Sequence, residues 1–145
     1  MSIQKMIAEH PHVAASGHSN ESLGQAVHHA MLCAAICNSC ADACSAETMD
    51  MRQCIRLCSD CADVCTATYR VASRRTGGDR QLIRTLLALC IEACERCAQE
   101  SEFHDHAHCL RCARMCRECA ADCRRALLVL NDEAHHDEHH VVHQV

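Results

Sequence analysis

A chain of 145 residues with a formal net charge of −5 has the length of one domain with one buried core, and its basic residues form no run or face suited to nucleic acid or an anionic membrane. No apolar stretch is long enough to span a bilayer. Tyr69 and Phe103 are the only aromatic residues while 16 residues are cysteine, so the interior is expected to be built from thiols where large hydrophobic side chains normally sit.

In chain order, the first residues carry Lys5 but no apolar signal region and no small-residue cleavage site, which predicts a cytoplasmic chain. Residues 2–10 are expected to form a short amphipathic helix with Ile3, Met6 and Ile7 inward, ended by Pro11, and a loop through Gly17 leads to Ser19 as an N-cap. That segment, 1–18, precedes the main unit, 19–130. Its first long helix is predicted from about Asn20 to Ala46 and carries Cys33, Cys37, Cys40 and Cys44. After a turn near Glu47 and Thr48, a second helix reaches about Arg74 and carries Cys54, Cys58, Cys61 and Cys65. Thr76, Gly77, Gly78 and Asp79 mark a break, with Asp79 capping a third helix that carries Cys90, Cys94 and Cys97 to about Phe103. A junction through His104, Asp105, His106 and His108 leads to a fourth helix with Cys109, Cys112, Cys116, Cys119 and Cys123, expected to end near Leu130 with Asn131 as its C-cap. Residues 131–145 read as a His-rich tail, frayed or disordered, with only a weak case for metal capture.

Steps of three and four place each run of cysteines on one face of one helix. Four such stripes joined by short connections predict an all-α, antiparallel up-down four-helix bundle with a short N-terminal helix. Antiparallel pairing brings Cys44, Cys54, Cys97, Cys109, Met49, Asp50, Met51, Ser101, His104 and His108 to one end, and Leu23, Val27, Ile83, Leu86, Leu87, Leu127 and Leu130 to the other. One end is therefore rich in ligands and the other is an aliphatic plug.

Eleven rises from Cys33 to Cys44 make the thiol-lined tube about 16 Å long, room for many ions. Disulfides are disfavoured, because a reducing compartment keeps thiols free and i, i+4 cysteines on one helix stand too far apart to bond. Charge separates the metals. Four zinc sites of four thiolates would leave about eight negative charges in a dry interior, and no arginine lies on a stripe to offset them. Cu(I) shared one per thiolate is neutral, so the expected capacity is about one ion per cysteine, with His104, His108, Met49 and Met51 able to add a few. An iron–sulfur cluster expects loop spacings that this chain lacks. His28 and His29 lie beside the stripe and are expected at the surface, while Asp50 and Ser101 either escort a cation or merely cap and solvate a helix end.

The stripes Cys33-x3-Cys37-x2-Cys40-x3-Cys44 and Cys54-x3-Cys58-x2-Cys61-x3-Cys65, with the runs of the third and fourth helices, resemble the bacterial copper storage proteins over residues 20–130. The resemblance implies a four-helix bundle holding many Cu(I) ions on cysteine. The absence of a signal region resembles the cytosolic branch, which implies a homotetramer and a polar end that admits copper, by position Asp50, His104 and His108. Ala26, Ala30 and Ser101 stand where a stripe could continue with cysteine, which lowers the implied capacity. The expected function is cytosolic storage and sequestration of multiple Cu(I) ions with no catalytic turnover, and copper donor or acceptor proteins as possible partners. The rival readings are a zinc or general thiophilic-metal buffer, an iron–sulfur electron carrier and a purely structural helical module.

Overall fold

The computed structural model describes residues 1–16 and 20–143, with side chains described through Ala134 apart from that gap. The order is α1 (Ile3–Ala8), α2 (Pro11–Ser16), α3 (Glu21–Ser45), α4 (Arg52–Ala72), α5 (Arg80–Ser101) and α6 (Ala107–His143). The last four pack in a ring, α3 against α4 and α6, and α5 against α4 and α6, so the expected antiparallel bundle with a short N-terminal helix is present. No strand occurs among the described residues.

Local chemistry sets the ends of these helices. The Asp79 carboxylate accepts from the Leu82 N–H at 3.1 Å, as expected of an N-cap, and the Asn20 side chain accepts from the Leu23 N–H at 3.4 Å. Ser19, the cap read from the sequence, lies outside the described residues. The turn between α4 and α5 relies on Gly77, whose φ of +62° is in the left-handed region that other residues reach only with strain. At Gly24 in α3 a Cβ would make ordinary van der Waals contact with Gln4 Cγ, at 3.4 Å, so the packing of α1 on the bundle does not require glycine there.

Three expectations for the ends change. Pro11 opens α2 where a loop was expected, because its fixed φ suits the first turn of a helix and its missing N–H is unneeded there. Met6 points outward at 68% exposure, and Ile7 with Ile3 forms the contact to the bundle. Asn131 is not a C-cap: α6 continues to His143, since residues 131–143 contain neither Gly nor Pro to stop it. The side chains of the tail histidines lie outside the described residues.

The core itself is cysteine and alanine. All 16 cysteines are buried, and Ala34, Ala41, Ala62, Ala98, Ala113 and Ala120 flank them, small enough to let the helix backbones close around the sulfurs. Larger side chains gather at the floor, where Leu23, Val27, Ile83, Leu87 and Leu130 are buried while Leu127 and Leu86 are half-buried. A hydrogen bond between His10 Nε2 and Thr76 Oγ1, at 3.0 Å, ties the end of α1 to this same end of the bundle.

One buried carboxylate lies off the stripes. Asp122 of α6 is 3% exposed and pairs with His29 of α3 and with Arg125, so His29 is half-buried in the seam between two helices and not the surface residue expected. Removing a partner from such a seam leaves polar groups unpaired. Asp122→Ala is expected to lower the unfolding free energy of the metal-free chain by about 1–3 kcal/mol in chemical denaturation, with metal capacity unchanged.

Candidate metal centre

Every cysteine is a free thiol, and a column of sulfurs in mutual contact runs from Cys44 and Cys109 to Cys65 and Cys90, with Cys119 within 4.8 Å of Cys33, Cys65 and Cys94. Neighbouring Sγ atoms stand 3.5 to 4.0 Å apart, van der Waals contact and far beyond the S–S bond of about 2.05 Å. The antiparallel geometry is visible in the contacts themselves. Cys44, near the end of α3, is 3.6 Å from Cys54 at the start of α4 and 3.9 Å from Cys109 at the start of α6.

Below this layer Cys97 meets Cys58 at 3.6 Å and Cys112 at 3.9 Å, and Cys37 meets Cys112 at 3.6 Å. The middle layer is Cys37, Cys61 and Cys116, with Cys37 and Cys116 3.5 Å apart and Cys61 4.0 Å from Cys116. Lower still, Cys33 reaches Cys94 across the bundle at 3.9 Å, and Cys65 lies 3.8 Å from Cys94 and 3.6 Å from Cys90. Several four-thiol sets have donors mutually within 4.8 Å, among them Cys33, Cys65, Cys94 and Cys119, and Cys33, Cys37, Cys61 and Cys116. Adjacent sets share sulfurs, so the column suits bridged ions better than isolated ones.

At the ligand-rich end the structure brings only some of the expected residues together. His108 Nδ1 is 3.4 Å from Cys40 Sγ and 3.6 Å from Cys109 Sγ, which places this imidazole on the column. Ser101 is fully buried, its hydroxyl 3.8 Å from Cys54 and 4.0 Å from both Cys58 and Cys97, in the place where a further thiol would extend the α5 stripe. Met51 is buried just before α4 begins. Asp50 is not brought in: it is exposed, accepts from the Arg52 N–H at 3.1 Å and pairs with the Arg52 guanidinium at 2.8 Å, which holds its carboxyl at about 2. His104 stays half-buried at the rim, 3.4 Å from Glu100, and Met49 is exposed.

Sequence reasoning missed Glu47 and His106. The Glu47 carboxylate accepts from His108 Nε2 at 3.0 Å and lies 3.5 Å from His106 Nδ1, while His106 Nε2 is 3.3 Å from Met49 Sδ. Both sit in the two turns that antiparallel packing juxtaposes, and that juxtaposition was the available signal. Burial pushes the Cys109 thiol up to about 11 and raises Cys44 as well, so both are protonated at neutral pH and a metal must displace their protons.

Residues 19–128 match the sequence profile of the family described as Csp, copper storage protein. The uncharacterized cysteine-rich protein YhjQ of Bacillus subtilis (strain 168) is 37% identical over 92 residues, 63% of this chain and 83% of that protein. The cytosolic copper storage protein of Streptomyces lividans, solved with five coppers, is similar in fold with a TM-score of 0.73 and 41% identity, covering 75% of this chain and 94% of that one. The same species' copper storage protein Ccsp, loaded with 10 copper equivalents, has a TM-score of 0.82 and 36% identity, covering 88% of this chain and 98% of that chain.

Proposed function

The chain belongs to the copper storage protein family, and from that premise we propose that it stores and sequesters Cu(I) as cargo, many ions at a time, on the cysteines of its core. The observation that carries this reading is the column of buried free sulfurs, in contact with one another from Cys44 and Cys109 at the mouth down to Cys65 and Cys90. In a dry interior each Cu(I) cancels the charge of one thiolate, and a sulfur shared by two ions keeps the chain of metal and ligand neutral along its length. All 16 cysteines serve as ligands, with His108 at the mouth of the tube and His104 and Met51 beside it. The aliphatic floor closes the other end, so ions enter and leave past His108. Asp50, held by Arg52 at the surface, acts on the approach to the mouth and not as a ligand in the column.

The role is that of a store or buffer without turnover. No helix among the described residues is long and apolar enough to cross a membrane, and the Streptomyces relative is a cytosolic protein, which supports a cytoplasmic location for this one. A homotetramer follows the family resemblance alone, and copper donor or acceptor proteins are the expected partners. The functional division is an N-terminal helical segment at 1–18, the metal-holding bundle at 19–130 and a His-rich extension at 131–145.

Anaerobic titration of the reduced chain with Cu(I) against a competing chelator tests the reading. The expected plateau is on the order of 16 ions, one per thiol, with about one proton released per ion in weak buffer. Saturation at one to four ions defeats it.

A further inference from the structure

We propose that Cys40, Cys44, Cys109 and His108 form a second kind of site in this chain, a mononuclear tetrahedral seat for a divalent thiophilic ion of the zinc class at the mouth of the tube. It goes beyond copper storage, because it concerns a different ion and a four-donor set that includes an imidazole, although it shares Cys40 with the set of Cys40, Cys58 and Cys112.

Three observations converge on it. The four donor atoms lie within 4.8 Å of one another. A tetrahedron with zinc–sulfur bonds of about 2.3 Å and a zinc–nitrogen bond of about 2.0 Å sets its sulfurs about 3.8 Å apart and its nitrogen about 3.5 Å from each sulfur. Here Cys40 and Cys44 are 3.9 Å apart, Cys44 and Cys109 are 3.9 Å apart, and His108 Nδ1 is 3.4 Å and 3.6 Å from Cys40 and Cys109. Three thiols and one imidazole are a common closed zinc set.

The second observation is what stands behind the imidazole. His108 Nε2 faces the Glu47 carboxylate at 3.0 Å, so the neutral imidazole that donates to it presents Nδ1 to the sulfurs, 3.4 Å from Cys40 and 3.6 Å from Cys109. A carboxylate behind a histidine that faces a metal position is the usual arrangement around zinc, where it fixes the tautomer and the ring orientation. Glu47 is thus a positioning residue for this seat.

Charge is the third. A divalent ion on three thiolates and a neutral imidazole leaves one negative charge, at an end where His108 and Glu47 are still partly open to water. In a deeper four-thiol set, such as Cys33, Cys65, Cys94 and Cys119, the same ion leaves two negative charges in a fully buried interior. The mouth therefore takes the divalent ion first, and the interior is left to Cu(I). An ion seated there links α3 to α6 across the opening.

The test is anaerobic titration of the reduced, metal-free full chain with Co2+ as an optical probe, followed by Zn2+ against a competing chelator. One tight equivalent per chain is expected, with the intense visible bands of tetrahedral, thiolate-bound cobalt that Zn2+ then bleaches. His108→Ala should abolish the tight step, and Glu47→Gln should weaken it about 10- to 100-fold. Cys94→Ser, deep in the tube, should leave it unchanged, and circular dichroism of each variant confirms that the helices persist. A first step of several equivalents, weak octahedral cobalt bands, no tight binding, or equal weakening by Cys94→Ser and His108→Ala overturns the proposal. Its failure is separable from that of the storage reading: a chain that fills with Cu(I) but shows no tight zinc step refutes the mouth site alone.

Discussion

Replacing Cys37, Cys61 and Cys116 together by valine is expected to cut the copper plateau from about 16 ions to about seven, because these three form the middle layer of the sulfur column. Seven thiols lie between that layer and the mouth: Cys40, Cys44, Cys54, Cys58, Cys97, Cys109 and Cys112. Six lie beneath it: Cys33, Cys65, Cys90, Cys94, Cys119 and Cys123. A valine collar offers no ligand, so an ion moving inward would cross it bare, and desolvating a charge in hydrocarbon costs far more than thermal energy supplies. The floor gives no second route, since Leu23, Val27, Ile83, Leu87 and Leu130 close it. Valine adds little volume and keeps the layer apolar, so the variant should remain helical in circular dichroism. A plateau near 13, the loss of only the three replaced ligands, would mean that ions reach the deep thiols without passing the collar, and the one-mouthed tube would be wrong.

What could be read in advance follows from which interactions are local. The cysteine stripes and the Asp79 cap depend on spacings of three and four residues, and these are legible in one dimension. The bundle followed, and with it the two unlike ends. Contacts made only in three dimensions stayed hidden. Glu47 read only as part of a turn, while α6 brings His108 within 3.0 Å of it, and nothing in the sequence singled out Asp122, which the α3–α6 seam buries against His29. Asp50 shows the reverse case. Its position in the sequence put it at the mouth, but its nearest partner is the local Arg52, and that contact turns it to solvent. Helix ends misread for a third reason: Pro11 stops a helix when read from its N-terminal side and starts one when read from the other.

Full loading with copper should raise the thermal midpoint by more than about 20 °C over the metal-free chain, and stripping the metal with a strong Cu(I) chelator should restore the lower value. The metal-free core explains the size of the effect. Its interior is mostly cysteine and alanine in simple contact, and the larger aliphatic side chains are concentrated at the floor, so apolar burial along most of the tube is modest. An ion that binds the folded chain at a thousandfold excess over its dissociation constant adds about 4 kcal/mol, a large share of the roughly 5–15 kcal/mol that holds a domain together. Thiols of the unfolded chain also bind Cu(I), which trims the gain from every site. They cannot trim all of it, because pairs such as Cys33 with Cys94, or Cys58 with Cys112, join different helices at 3.9 Å only when the bundle is assembled. An ion between them cross-links the fold. Stabilisation should therefore grow with each equivalent as more inter-helix pairs are bridged, and a midpoint that stays fixed up to the plateau would place the copper outside the core.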